Sequence, residues 1–136
     1  MIAFFDASAL IYLIEARSPF ADAVQRTLRD LAAQHPGLHT AVSRLSWLAC
    51  RVGPLRGHDL ATLSRYDGFF ARPDLIWVDI TQDVVELATL LRARHGLRTP
   101  DALHAASCLQ LGHDHAFLTG DAAFSRVSGL NVRSVA

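Results

Sequence analysis

Short apolar runs alternate with longer amphipathic segments along the whole chain. Five runs are rich in β-branched and aromatic residues and predict strands: IAFF, LHTAV, LIWVDI, HAFLT and LNVRSV. Segments between them, such as FADAVQRTLRDLAAQ and QDVVELATLLRARH, repeat apolar residues at helical spacing. Because strands alternate with helices, the pattern favours a parallel sheet covered by helices on both faces. We therefore predict one α/β domain over residues 1–136.

Capping and turn residues predict where several helices begin and end. Thr81 is suited to cap the helix QDVVELATLLRARH, and Gly96 is suited to end it. The sequence Thr99-Pro100-Asp101 predicts another helix start, because proline is favoured in the first turn. In SRLSWLACRVGPLR we expect a helix that is capped by Ser43 and ends just before Pro54.

Composition narrows the class of protein. About half of the residues are hydrophobic and the formal net charge is +0, so the overall charge gives no sign of nucleic-acid binding. All 13 basic residues are arginine, which suits either a GC-rich coding bias or phosphate recognition. No apolar run has the roughly 18 to 20 residues of a membrane span, and the N-terminus lacks the basic region of a signal peptide. We expect a cytoplasmic protein whose two cysteines, Cys50 and Cys108, are buried free thiols.

Three aspartates stand where a parallel sheet would gather them. Asp6 follows the strand IAFF, Asp121 follows AFLTG, and Asp101 opens a helix. Ligands of such sheets bind beyond the carboxyl ends of the strands, so the three carboxylates are expected at one edge. A hard divalent cation such as Mg²⁺ or Mn²⁺ would relieve their repulsion and activate water against a phosphate. Ser8 and Thr119 could orient these carboxylates through their hydroxyl groups.

The aspartates also have a purely structural interpretation. Aspartate is favoured at helix N-caps and in first turns, where it satisfies free amide groups. Asp79 and Asp83 fit that interpretation best, because they flank the capping Thr81. For Asp6, Asp101 and Asp121 their shared place at one edge favours a site over three separate caps.

Four blocks of sequence resemble the PIN-domain ribonucleases, and most closely the VapC toxins of bacterial VapBC toxin–antitoxin pairs. They are FFDASALIYL, SRLSWLACRVGPLR, GLRTPDALHAA and AFLTGDAAF, and the resemblance runs from residue 2 to about 134. It implies a three-layer α/β/α fold with a central parallel sheet of four to five strands. It also implies a Mg²⁺- or Mn²⁺-dependent endoribonuclease that acts on structured RNA such as tRNA or rRNA. A homodimer held inactive by a VapB-type antitoxin is the usual assembly.

The resemblance assigns Asp6, Asp101 and Asp121 as metal-binding and catalytic acids, with Thr119 beside the last of them. It also implies a glutamate at position 49, where this chain has Ala49. No acid occurs from residue 31 to residue 58, so no small shift of the alignment supplies that glutamate. An engineered substitution and natural loss of the acid would both give this sequence. From helical spacing alone, Ala49 is instead an ordinary core contact on an apolar stripe that also holds Leu45, Leu48 and Val52.

Other residues keep two interpretations each. His104 lies one turn after Asp101, so it could ligate a metal or pack beside the site. His113 and His115 fit a solvated turn better than a transition-metal site. Trp47 could face a partner or the core. Three arginines of the same helix region could line an RNA path or a solvated face: Arg44, Arg51 and Arg56.

We also consider functions of other classes. A doubly wound phosphotransfer or phosphatase domain would use a strand-end aspartate as acceptor, but it usually needs a lysine, and this chain has none. A non-catalytic PIN fold that binds antitoxin or RNA without cutting is the stronger alternative, because Ala49 removes an expected acid.

Overall fold

The computed structural model describes residues 1–136, and its five strands form one parallel sheet. The strand order is β3-β2-β1-β4-β5, so the first strand of the chain lies at the centre. The strands are β1 Ile2–Phe5, β2 His39–Ser43, β3 Ile76–Val78, β4 His115–Thr119 and β5 Val132–Ser134. The α-helices are α1 Ala7–Ile14, α2 Phe20–Gln34, α3 Leu45–Arg56, α4 Leu60–Phe70, α5 Gln82–His95 and α6 Thr99–Leu109. A short 3₁₀ helix covers Ala122–Arg126.

The two faces of the sheet carry separate cores, because side chains of a strand alternate between its faces. Phe5 lies in the core beneath helices α1 to α4, where its ring meets Phe69 at 6.2 Å. Phe4 lies in the core beneath α5 and α6, where its ring stacks on Phe117 at 5.5 Å. The structure therefore confirms the predicted three-layer α/β/α fold.

The register of the sheet brings the ends of its central strands level. Phe5 pairs with Val42 of β2 on one side and with Leu118 of β4 on the other. Val42 in turn pairs with Trp77 of β3. The residues that follow these positions therefore meet at one edge of the sheet, at the carboxyl ends of the strands.

The predicted caps of α5 are present. Thr81 accepts a hydrogen bond from the Val84 amide at 3.3 Å, and Gly96 ends the helix in the left-handed conformation with φ 66°. The cap of α3 differs from the prediction. Ser43 is the last residue of β2 and its hydroxyl accepts from Leu45 N at 3.1 Å, while Arg44 is the N-cap without a side-chain bond.

The predicted end of α3 at Pro54 is wrong, because the helix continues to Arg56 with Pro54 inside it. Proline removes one backbone donor and crowds the Cβ of the residue before it. That residue is Gly53, which has no Cβ, so part of the crowding is absent. The backbone beyond the proline is bonded again, since Gly57 N donates to Gly53 O at 2.9 Å. The helix therefore includes Arg56, which was expected to lie beyond its end.

The sequence also predicts that the two cysteines are buried free thiols and that no segment has the length of a membrane span. Cys50 and Cys108 are buried and free, as predicted. Burial raises the pKa of Cys50 to about 12, and the nearby charge of Glu15 adds to the shift. None of the helices combines the length and the apolar character that crossing a bilayer requires.

Candidate functional site

A cleft of about 340 Å³ opens at the carboxyl edge of the sheet between α1, α3 and α6. Asp6, Asp101 and Asp121 all line it, so the structure brings the three predicted acids to one place. Ala49 and His104 line the same cleft. The remaining walls come from Ala7, Ser8, Ile11, Leu45, Leu48, Arg98 and Pro100.

Asp6 is the most deeply placed acid, with only 4% of its surface exposed. It ends β1 and caps α1, since its Oδ1 accepts the Ala9 amide at 2.9 Å. The Ser8 hydroxyl donates to the same oxygen at 2.7 Å, and the Thr119 hydroxyl donates to Oδ2. Burial raises the pKa of Asp6, these hydrogen bonds oppose the rise, and the charge of Asp121 adds to it.

The other two acids are held by different means. Asp121 caps the 3₁₀ helix, where its Oδ1 accepts from Ala123 N at 2.8 Å. Asp101 lies in the first turn of α6, and its Oδ2 accepts from Arg98 Nε at 3.2 Å. Arg98 is itself 80% exposed, so this ion pair is weak and easily broken. Sequence reasoning missed Arg98, although its spacing three residues before Asp101 is a recognisable signal.

The hydroxyls of Ser8 and Thr119 join the two strand ends. Ser8 Oγ accepts from Gly120 N at 2.9 Å while it donates to Asp6. Thr119 Oγ1 accepts from Asp121 N at 3.0 Å while it donates to Asp6. Both hydroxyls therefore connect β1 to the loop after β4, and they fix the orientation of the Asp6 carboxylate.

Gly120 is a contributor that the sequence did not indicate. A Cβ at this position would meet the Tyr12 ring at 2.6 to 3.0 Å. Tyr12 has little freedom to move away, because its ring stacks on Phe20 at 4.6 Å. The loop between Thr119 and Asp121 can therefore pass α1 closely only because residue 120 has no side chain.

The chemistry of the acids fits a hard divalent cation. No basic side chain forms an ion pair with Asp6 or Asp121. The only arginine that lines the cleft is Arg98, and it pairs with Asp101. No three Asp, Glu, His or Cys side chains come close enough together to surround an ion by themselves. That arrangement still suits Mg²⁺, which usually keeps several waters and binds through one or two carboxylates.

The core interpretation of the α3 stripe is wrong. Leu48 is 63% exposed and Val52 is 43% exposed, because this side of α3 faces the cleft and the solvent and not the sheet. Ala49 is half-buried on the cleft wall. A longer side chain at position 49 would extend from this wall into the cleft that the three acids line.

His104 lies on the cleft wall with 3% of its surface exposed. Its Nδ1 is buried without a hydrogen-bond partner. Burial lowers the pKa of His104 to about 4, against the attraction of Asp101, so the ring is neutral at pH 7. The structure thus places beside the acids a neutral imidazole with an unused nitrogen.

Two predictions concern residues outside the cleft, namely His115 and Asp79. The interpretation of His115 as part of a solvated turn is wrong, because this residue is buried at the start of β4. Its Nδ1 lies 2.8 Å from Gly112 O and its Nε2 accepts from Asn131 N at 3.1 Å, so its two nitrogens anchor neighbouring loops. Asp79 lies on the surface in an ion pair with Arg44 at 3.1 Å, which agrees with a structural role.

Comparison with known proteins shows that solved structures share this fold. No curated protein is similar enough in sequence to be matched. Two solved structures cover 98% of this chain and match over 98% of their own lengths. VapBC2 from Rickettsia felis, bound to a DNA fragment from its promoter, has 18% identity and a TM-score of 0.77. A toxin–antitoxin complex from Klebsiella pneumoniae has 24% identity and a TM-score of 0.70.

The family match covers more of the molecule than the cleft alone. The sequence model described as the PIN domain matches residues 3–130, a range that runs from β1 to the loop before β5 and includes all three cleft aspartates. The chain belongs to the PIN domain family.

Proposed function

We propose that the chain is a VapC-type toxin, a divalent-metal-dependent endoribonuclease whose activity is weakened by Ala49. The observation that carries the proposal is the gathering of Asp6, Asp101 and Asp121 in one cleft, where the ion pair of Asp101 with the exposed Arg98 is the only one that these acids form. PIN-domain proteins are generally nucleases, and the two similar structures are toxin–antitoxin complexes. An antitoxin of the VapB type, a homodimer, a cytoplasmic location and a tRNA or rRNA substrate belong to the same proposal.

The three aspartates would hold Mg²⁺ or Mn²⁺ at the end of β1, one or two of them directly and the rest through waters that the ion keeps. Such an ion, when bound, supplies an activated water and stabilises the charge that develops on the phosphate. Ser8 and Thr119 keep the Asp6 carboxylate turned toward the cleft through the hydrogen bonds described above. His104 is neutral, so it adds no positive charge that would compete with the ion.

Restoring the missing acid tests the proposal. We expect Ala49→Glu to raise Mg²⁺- or Mn²⁺-dependent cleavage of tRNA or rRNA on the order of a hundredfold, because a fourth acid would help to hold an ion that, when bound, stabilises the transition-state charge by several kcal/mol. Asp6→Asn in the Ala49→Glu background is the matched control, and it should abolish the gain. A chain with Ala49→Glu that cuts no RNA with either metal would refute the nuclease proposal.

A non-catalytic role is the second candidate, and the position of Ala49 on the cleft wall is the observation that favours it. In that role the chain binds antitoxin or RNA and does not cut. The same assay separates the two candidates. RNA binding without cleavage, in both the Ala49 chain and the Ala49→Glu variant, would support the binding role.

A further inference from the structure

The chain has two tryptophans, and both pack against the same buried phenylalanine. The ring of Trp47 on α3 lies 5.5 Å from the ring of Phe70, and the ring of Trp77 on β3 lies 5.2 Å from it. Phe70 is buried at the end of α4, so it fixes both tryptophans relative to the sheet. Aromatic contacts of this kind are specific in geometry and hold rings in place.

Each tryptophan carries an arginine over its ring. The guanidinium carbon of Arg44 lies 4.0 Å from the Trp77 ring centroid, and that of Arg51 lies 4.3 Å from the Trp47 ring centroid. Arg51 also pairs with Asp67, and its side chain is 15% exposed. We call the set of Arg44, Trp47, Arg51, Phe70 and Trp77 the tryptophan platform. Its guanidinium groups are preorganised by cation–π contact.

The outer part of the tryptophan platform is open to solvent. Trp47 is 44% exposed with Arg51 over its ring, and the Arg44 side chain is 50% exposed while it pairs with Asp79 on the surface. The sequence from residue 31 to residue 58 contains no acid, so α3 presents arginines without acids of its own. An exposed indole beside a half-exposed guanidinium matches the pairing with which proteins stack unpaired bases and contact phosphates.

The tryptophan platform lies close to the candidate cleft. Trp77 is level with Phe5 at a distance of two strands, about 10 Å across the sheet, and Asp6 directly follows Phe5. On α3, the residue after Trp47 is Leu48, which lines the cleft. A nucleic-acid strand that enters the cleft can therefore touch the platform without leaving the same edge of the molecule.

We propose that the tryptophan platform binds an unpaired nucleotide of the RNA substrate, with its base on Trp47 and the adjacent phosphate beside Arg44. This inference rests on the proposed ribonuclease function and adds a selectivity to it, namely a preference for RNA with an unpaired base near the cut. RNA is favoured over a protein partner because a phosphate can replace Asp79 in its weak surface pair with Arg44, and because the indole is already fixed in place.

The two tryptophans provide a direct optical test, since no other tryptophan contributes to the fluorescence. In a Trp77→Phe variant, Trp47 is the only emitter. We expect a short unpaired oligouridylate, added in the presence of EDTA, to quench this emission saturably. Trp47→Leu should weaken binding by about tenfold, since stacking on an aromatic ring contributes that much or more per base. Trp47→Phe retains a stacking ring and should remain within a few-fold of the unchanged chain.

Charge is tested in the same titration. Arg44→Gln should weaken binding and lower the slope of log affinity against log salt by about one, the value for one lost phosphate contact. Arg29→Gln and Leu90→Ala are matched controls, because both residues are exposed on other helices, and both should bind like the unchanged chain.

Two results would overturn the inference. One is binding of the oligouridylate without quenching, or no binding at all, in the Trp77→Phe variant. The other is a dimer that Trp47→Leu dissociates in sedimentation while RNA affinity stays unchanged, which would make the platform an interface between copies. The nuclease proposal is judged separately by cleavage in the Ala49→Glu background, so either proposal can fail without the other.

Discussion

The Thr119 hydroxyl donates a hydrogen bond to Asp6 and accepts one from the Asp121 amide, so one side chain connects two of the three cleft acids. Thr119 is completely buried, and no solvent is available to replace either bond. The relationship links a carboxylate at the end of β1 to the loop that follows β4. Its loss would affect the stability of the fold and the geometry of the candidate site together.

We expect Thr119→Val to lower the free energy of unfolding by about 1 to 3 kcal/mol, because a buried donor and a buried acceptor lose their partner while the volume is kept. Urea denaturation at pH 7 measures this change. Thr119→Ser keeps the hydroxyl and should lose less stability than Thr119→Val. Equal losses in the two variants would mean that the methyl group, and not the hydrogen bonds, stabilises this position.

His104 predicts a dependence of stability on pH. Its pKa is about 4 in the folded protein and near 6.5 when unfolded, so the unfolded chain binds the proton more readily. The stability that this neutral ring contributes is present above pH 6.5 and is lost as the pH falls toward 4. Between pH 7 and pH 5 we expect a loss of about 2 kcal/mol from this residue alone.

Comparison with His104→Leu isolates that effect from other groups. Asp6 acts in the opposite direction, because its raised pKa makes the fold relatively more stable as the pH falls. In His104→Leu the Asp6 effect remains and the histidine effect is gone. Denaturation curves at pH 5 and pH 7 should therefore show a smaller acid-induced loss in the variant, and an unchanged loss would place the titrating group elsewhere.

Alanine substitutions at two glycine positions should change the stability of the protein in opposite directions. Gly120→Ala pushes a methyl group into the Tyr12 ring and should destabilise the protein by about 1 to 3 kcal/mol, as overpacking does. Gly68→Ala lies in the interior of α4 with open space around its Cβ, and it should stabilise by up to about 1 kcal/mol through helix propensity. Thermal unfolding of both variants checks the pair. A neutral Gly120→Ala would show that the loop can move away from α1.

Metal binding has a readout that needs no RNA. In the Ala49→Glu background, four acids would face one cleft, and free Mn²⁺ at about 100 times its Kd should stabilise the fold by about 3 kcal/mol. The thermal midpoint should rise with Mn²⁺ concentration and fall back with EDTA. Asp6→Asn in that background should remove most of the rise, whereas the same rise in both chains would place the ion outside the cleft.

The strands and long helices could be predicted because their patterns are local. QDVVELATLLRARH carries its own cap and its own stop, and HAFLT is apolar throughout, so both match the observed α5 and β4. The prediction at Pro54 failed because the general rule for proline leaves out the residue before it, and here that residue is Gly53, which has no Cβ. His115 was misjudged because its hydrogen-bond partner Asn131 lies 16 residues away.

The candidate site was predictable only in part. The order of the strands and the position after each strand were enough to bring Asp6, Asp101 and Asp121 to one edge. The close approach of Gly120 to Tyr12 depends on how the loop after β4 crosses α1. The buried, unpartnered His104 depends on what packs around α6. Neither the contact of Gly120 with Tyr12 nor the burial of His104 can be predicted from neighbouring residues, because each depends on elements that are distant in the chain.

The central place of β1 has a consequence for synthesis on the ribosome. Asp6 is made long before one of the two hydroxyls that orient it, because Thr119 lies 113 residues later in the chain. A growing chain can form β1, α1 and α2 early and still has no β4 to pair with them. The cleft can therefore close only after β4 and the loop that follows it have left the ribosome, long after β1 itself has been made.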